Sequence, residues 1–303
     1  MRLVVASMAW CPLAVRTPLA RCVAGLWTVS LTSVIFCSSV LCSTAMAGAP
    51  TGYFAVFSQC PRFTPEVNLC LMSQIAGGEL QINNVTIPIG RNITLQGGVI
   101  FNEETEAETF VGALNNESLS GPGLSVPGGL TGVLGHAGSP GLSVVSPNLR
   151  NVTASIELAG LPQVNTNNLV NERGIAMSLP MRIRLQNPFL GNACYIGTVS
   201  RPVVLNLTTG VTSPPGPNRP IKGSVGDLEL RDDFELDEAS GGALVDNSFA
   251  VPVATGCGGS LSSIVDPAID KRIGLPSASG NNTAITRGTF EDALSANVIA
   301  SEA

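Results

Sequence analysis

The stretches VTASIEL (residues 152–158) and LPMRIRLQ (179–186) decide the fold. Val152, Ala154, Ile156 and Leu158 alternate with Thr153, Ser155 and Glu157. Leu179, Met181, Ile183 and Leu185 alternate with Pro180, Arg182, Arg184 and Gln186. A period of two puts every apolar side chain of an extended chain on one face, so each stretch predicts a half-buried strand. The same pattern extends to Val203, Leu205 and Leu207 and, more briefly, to Val225, Leu228 and Leu230. Further strands are expected over 80–89, 92–101, 109–114, 248–254 and 284–293. Many short strands separated by Gly and Pro predict a mainly β chain, an antiparallel β-sandwich or barrel-like architecture.

One segment carries helical signals instead. Asp266 suits a cap, Pro267 a first turn, Lys271 and Arg272 a last turn, and Gly274 with Pro276 a stop. A short helix over 266–273 near the C-terminus is therefore expected.

The first 47 residues read as a secretory signal. Arg2, Arg16 and Arg21 precede an apolar run over 23–41, no acid occurs there, and Ala45 and Ala47 form a small-residue cleavage site ending between Ala47 and Gly48. The rival reading is an uncleaved membrane anchor, and Met8 is an alternative start. Cleavage leaves residues 48–303, about 256 residues, enough for one large sandwich or for two halves (48–120 and 149–303) joined by the Gly/Pro/Ser-rich segment 120–148. The mature chain then has a net charge near −9, because three of the sixteen Lys and Arg but none of the twenty-two Asp and Glu leave. Such a surface repels phosphate backbones and anionic lipid, so no nucleic acid and no integral membrane span are expected after cleavage. Trp10 and Trp27 both leave, which removes the flat aromatic faces of sugar-binding modules.

Cys60, Cys70, Cys194 and Cys257 remain, an even set that implies disulfides in an exported chain. Three connectivities are open. The ten-residue separation favours Cys60 with Cys70, leaving Cys194 for Cys257. A zinc site would need CxxC pairs or more histidines than His136, and redox catalysis would need a CxxC, so no metal and no cofactor are expected.

Catalytic residue sets are also lacking. A Ser-His-Asp or Cys-His site would rest on His136, with neither a GxSxG elbow nor a free cysteine to serve it. Glu103, Glu104, Glu106 and Glu108 form one acidic cluster, and a denser one runs from Asp227 through Glu229, Asp232, Asp233, Glu235, Asp237 and Glu238 to Asp246. Both read as solvated edges and turns that keep a sheet unpaired. The second lacks the DxDxDG spacing of a calcium loop. Residues 209–223, with four prolines, predict an extended, stiff surface path. The segment 120–148 reads as a flap or a joint.

The strings TIPIGRNITLQGG (86–98), LQNPFLGNACYIG (185–197), VVLNLTTGVTSPPGPNRPIKG (203–223), LVDNSFAVPVATGCGG (244–259) and GLPSASGNNTAI (274–285) resemble a family of uncharacterised exported proteins from actinobacteria. The resemblance implies export to an extracellular or cell-envelope setting and assigns no functional residue. The resulting expectation is a secreted or envelope-associated, non-catalytic structural or binding protein with an unknown partner outside the cytoplasm. The alternatives are an extracytoplasmic carrier of an apolar small molecule, with a pocket between the sheets, and a hydrolase working through carboxylates alone.

Overall fold

Alternation becomes a sheet when one face of each strand meets an apolar layer, and two such layers form here. The computed structural model describes residues 48–90, 92–105, 107–134, 150–231 and 236–302. With strands numbered in chain order, one antiparallel sheet contains β1 (Leu69–Ile82), β2 (Val85–Ile89), β3 (Ile93–Asn102), β4 (Ala107–Gly112), β5 (Leu119–Ser120), β12 (Asp227–Arg231), β13 (Leu236–Asp246) and β15 (Asn282–Leu294). Its path is β12-β13-β15-β1-β3-β4, with β2 also on β1 and β5 on β3. The second contains β6 (Leu124–Ser125), β7 (Thr153–Leu158), β8 (Gln163–Val164), β9 (Met177–Gln186), β10 (Tyr195–Ile196), β11 (Val203–Leu207) and β14 (Ala254–Thr255). Its path is β14-β10-β9-β7-β6, with β8 and β11 also on β9. Both sheets have ends, so the sandwich is realised and the barrel is not. Helices α1 (Gly129–Leu134), α2 (Thr166–Val170), α3 (Ser262–Ile273) and α4 (Ser295–Ala300) lie between or after the strands.

The core follows from the alternation. Met181, Ile183 and Leu185 of β9 are fully buried in one cluster with Leu71 of β1 and Leu95 and Val99 of β3. Each such side chain contributes about 1.5–3 kcal/mol of burial. The opposite face of β1, carrying Cys70 and Met72, packs with Leu236 of β13 and Ala293 of β15 against Phe54, Phe57 and Val298. The central strands are thus covered on both faces. A single bridge, Thr208↔Val245, joins the end of β11 to β13 across the margins of the two sheets, and Ser224↔Ala243 adds a bridge to β13 just before β12.

Both disulfides form in the favoured pairing. Cys60–Cys70, with its Cα atoms 5.5 Å apart, fastens the turn before β1 to that strand. Cys194–Cys257 fastens the residue before β10 to the turn after β14. Each contributes about 2–4 kcal/mol by constraining the unfolded chain.

Several expectations are corrected. The strand expected over 80–89 is the end of β1 and the whole of β2, because Asn83 adopts φ 51° and reverses the chain. The strand expected over 248–254 reduces to a bridge at Val251 and the short β14. There Asp246 accepts the Ser248 N–H and Asn282 donates to the Phe249 carbonyl, so side chains take the backbone groups a ladder needs. The helix expected over 266–273 starts four residues earlier, with Pro267 inside it. Its Asp266 is no cap. The Asp266 carboxylate accepts from Gly256 and Cys257 N–H and that of Asp270 from Ala254 N–H, docking the helix on β14. That docking outweighs the ladder bond Pro267 removes. Gly274 closes the helix at φ 83°, as expected.

The described part of 120–148 is no flap. Leu124, Val126, Leu130, Val133 and Leu134 are buried in the main cluster and α1 packs on α3. Nor do 209–223 run extended: Val211 bridges Lys222, and Thr212 and Ile221 bond to each other, so the loop doubles back. Residues 1–47, including Ala47 of the cleavage site, lie outside the described residues, as does His136. Among the described residues no helix is long and apolar enough to cross a membrane.

A truncation at the centre of the core tests this packing. Ile183→Ala is expected to cost about 3 kcal/mol in denaturant unfolding, whereas Val199→Ala, at a side chain 62% exposed, should leave the midpoint nearly unchanged.

Candidate functional site

The face of the larger sheet that buries Leu71, Leu95 and Phe290 continues past the cover of the second sheet. Register places Leu230, Asp237, Asp292 and Leu71 in one row across β12, β13, β15 and β1, and Leu228, Ala239, Phe290 and Ser73 in the next. Towards Leu230 these rows leave the core and form the floor of a groove of about 940 Å³. Phe101 and Glu108, facing each other across the β3–β4 hairpin, close one end. The loop Asn165–Arg173, which contains α2, is the opposite wall.

That wall is fastened at both sides. Glu108 accepts from the Thr166 N–H at 3.0 Å and from its hydroxyl, while Asn165 caps α2 through the Asn168 N–H at 2.7 Å. Beyond the helix, Glu172 at φ 50° pairs with Lys222 at 2.9 Å and accepts the Val225 N–H at 3.1 Å, just before β12. These contacts, Lys222 first, hold its carboxyl below the ordinary value. Gly210 permits the approach, since a Cβ there would lie 2.3 Å from the Glu172 carbonyl oxygen. Thr209 also donates to the Leu169 carbonyl at 2.7 Å.

The floor is electrostatically loaded. Asp237 and Asp292 are direct cross-strand partners, and on the reverse face Glu238 and Glu291 are paired the same way. Burial, then the neighbouring Asp237 and Glu108 carboxylates, pushes the half-buried Asp292 up to about 7. Burial likewise raises Glu291, with Glu238 adding and Arg231 opposing. Arg231 partly neutralises the reverse face, pairing with Glu238 and with Glu229 at 2.8 Å and lying over the Tyr53 ring. No cation is fixed beside Asp237 and Asp292 in the salt bridges of the described residues.

The acidic clusters expected as solvated turns therefore divide. Glu103 and Glu104 are exposed, but Glu108 is a fastener and Asp292, not singled out by the sequence, is the groove's most perturbed acid. Asp246 is buried at 2% exposure rather than solvated. It accepts from the Asn206 and Ser248 N–H groups at 2.7 Å, a structural role that costs desolvation and raises its carboxyl. Glu106, Asp232, Asp233 and Glu235 lie outside the described residues. Among the described residues no group of three or more His, Cys, Asp or Glu is arranged to hold a metal ion. Among the described residues the four cysteines are all in disulfides, away from the groove. Leu228 and Leu230, expected as core, are 53% and 58% exposed on the groove side.

Comparison with family models, with curated proteins and with solved structures found no match to this chain.

Asp292 gives stability a pH dependence of defined sign. With its folded value near 7 and an ordinary value of 3.8, the native state holds a proton that the unfolded chain has released. Its contribution therefore destabilises progressively as pH rises from about 4 to 7 and then levels off. Asp292→Asn should match the parent near pH 4 and exceed its melting temperature by a few degrees at pH 8; parallel curves at all pH values would contradict this. Glu108→Ala should cost about 1–2 kcal/mol and speed amide exchange at Thr166 and Asn168.

Proposed function

We propose that this chain is an exported, non-catalytic binding protein of the extracellular space or cell envelope, and that the groove beside β12 holds its partner. The observation that carries the reading is the pair Leu228 and Leu230, exposed on the groove side of a disulfide-stapled frame. Apolar side chains cost free energy in water, and on a paired strand facing a wall fastened by Glu108 and Glu172 they are preorganised for a partner surface. The disulfides are compatible with an oxidising compartment, and the basic-then-apolar, signal-like order of residues 1–47 and the family resemblance support the same setting.

The carrier reading has less support. The cavity beneath the larger sheet, lined by Ser73, Leu169, Thr209 and Phe290, holds about 20 Å³, which suits one water, and the wider space of about 580 Å³ between β4 and β8 carries Glu108, Gln163, Asn165 and Asn206 in its lining rather than a continuous apolar wall. The hydrolase reading draws on the raised carboxyl of Asp292 next to Asp237. Glycoside chemistry wants its acid and base on opposite sides of the scissile bond, whereas these two stand side by side on the floor and Asn167, Asn168 and Arg173 line the facing wall.

Fractionation of the host with mass analysis tests the proposal. Protein of the mass of residues 48–303 less four hydrogens is expected in the medium or envelope, cross-linkable to a partner, with the cross-link lost in Leu228→Ser/Leu230→Ser. Recovery from the cytoplasm alone, or the same cross-link in the double variant, would overturn it.

A further inference from the structure

We propose that the outer edge of β12 accepts a partner by strand addition, and that the added segment is extended, with apolar side chains alternating with Lys or Arg. The inference rests on the groove being a binding site and names its occupant.

Three observations converge. First, β12 ends the path of its sheet, pairing with β13 alone, and Asp227, Leu228, Glu229 and Leu230 are all exposed among the described residues. An antiparallel edge presents alternate N–H and C=O groups to the next chain, enough for four or five residues here. Second, the edge is not blunted on its groove face. Sheets protect a free edge with charge or proline, yet here that face carries Leu228 and Leu230 above Phe290. A strand laid beside them would add its own inward side chains to this apolar row. Third, the charge has one sign. Asp227 and Glu229 stand on the reverse face of β12, where the alternate side chains of an added strand fall, and Asp237, Asp292 and Glu108 load the groove; Arg231 is already paired with Glu229 and Glu238, and Arg173 on the far wall is engaged with Asn167 at 3.1 Å. An acidic strand would be repelled, including a second copy of this edge, which would set Asp227 and Glu229 against their own kind. A strand whose groove-facing side chains are apolar points its alternate Lys or Arg toward the face that carries Asp227 and Glu229.

The test uses the disulfide-bonded chain of residues 48–303 and peptides with an added Trp, which is unambiguous because Trp10 and Trp27 lie outside that range. A Trp-tagged (Lys-Val)₄ peptide should saturate at low salt, weaken as salt is added, and protect the amides of β12 from exchange. Leu228→Ser/Leu230→Ser should weaken it roughly tenfold or more. The near-isosteric Asp227→Asn/Glu229→Gln pair, which keeps the fold if the leucine variant does not, should weaken it and flatten the salt dependence. Equal binding of (Glu-Val)₄ would overturn the charge assignment. Undiminished binding of a peptide N-methylated at alternate amides would overturn strand addition. Absence of (Lys-Val)₄ binding alongside a leucine-dependent cross-link in the host would overturn this occupant while leaving the binding function standing.

Discussion

The antiparallel pairing of β1 with β15 is the constraint on which the rest depends. It runs from Leu69↔Leu294 to Ile82↔Asn282, joining segments two hundred residues or more apart. Every other strand of the larger sheet is added outward from it: β13 and β12 on one side, β3 and β4 on the other. The groove floor exists because β15 places Phe290 and Asp292 in register with Ala239 and Asp237. A shift of one residue would turn those acids to the reverse face and bring Glu238 and Glu291 into the groove. Small packing errors in this pair therefore become errors in the site.

How much of this the sequence reveals depends on whether a strand is covered on one face or two. β9, β11 and the first half of β15 are covered in alternation and read plainly as alternating strings, whereas β7 alternates in sequence with only Ala154 fully buried. β1 begins Leu69-Cys70-Leu71-Met72 because both its faces are buried, which erases the period, and a bulge between Ile75 and Gly77 shifts what remains. β13 is concealed by its acids and by the irregularity between Ala239 and Gly242. The short α2 has no apolar stripe to reveal it, and its fastening by Glu108 spans 58 residues. Local order is legible; contacts made across such distances are not.

The candidate site was harder to see for the same reason. Its parts come from β3, β4, α2, β12, β13 and β15, and no short motif joins them. The signal present in the sequence was the alternation of Leu228 and Leu230 with Asp227, Glu229 and Arg231, which reads as half-buried strand. The structure turns that apolar face to an open groove instead. Asp292 carried no signal at all, since its character comes from Asp237 across the strand and from burial.

A doubly covered centre stands beside one open edge, and residue-resolved native-state hydrogen exchange of residues 48–303 tests that contrast most directly. Amides of β1 and β15 should exchange only through global unfolding, while alternate amides of β12, those pointing away from β13, should exchange within the range of unstructured chain. Uniformly slow exchange along β12 would mean its edge is already covered. Fast exchange in β15 would remove the frame from which the groove is built.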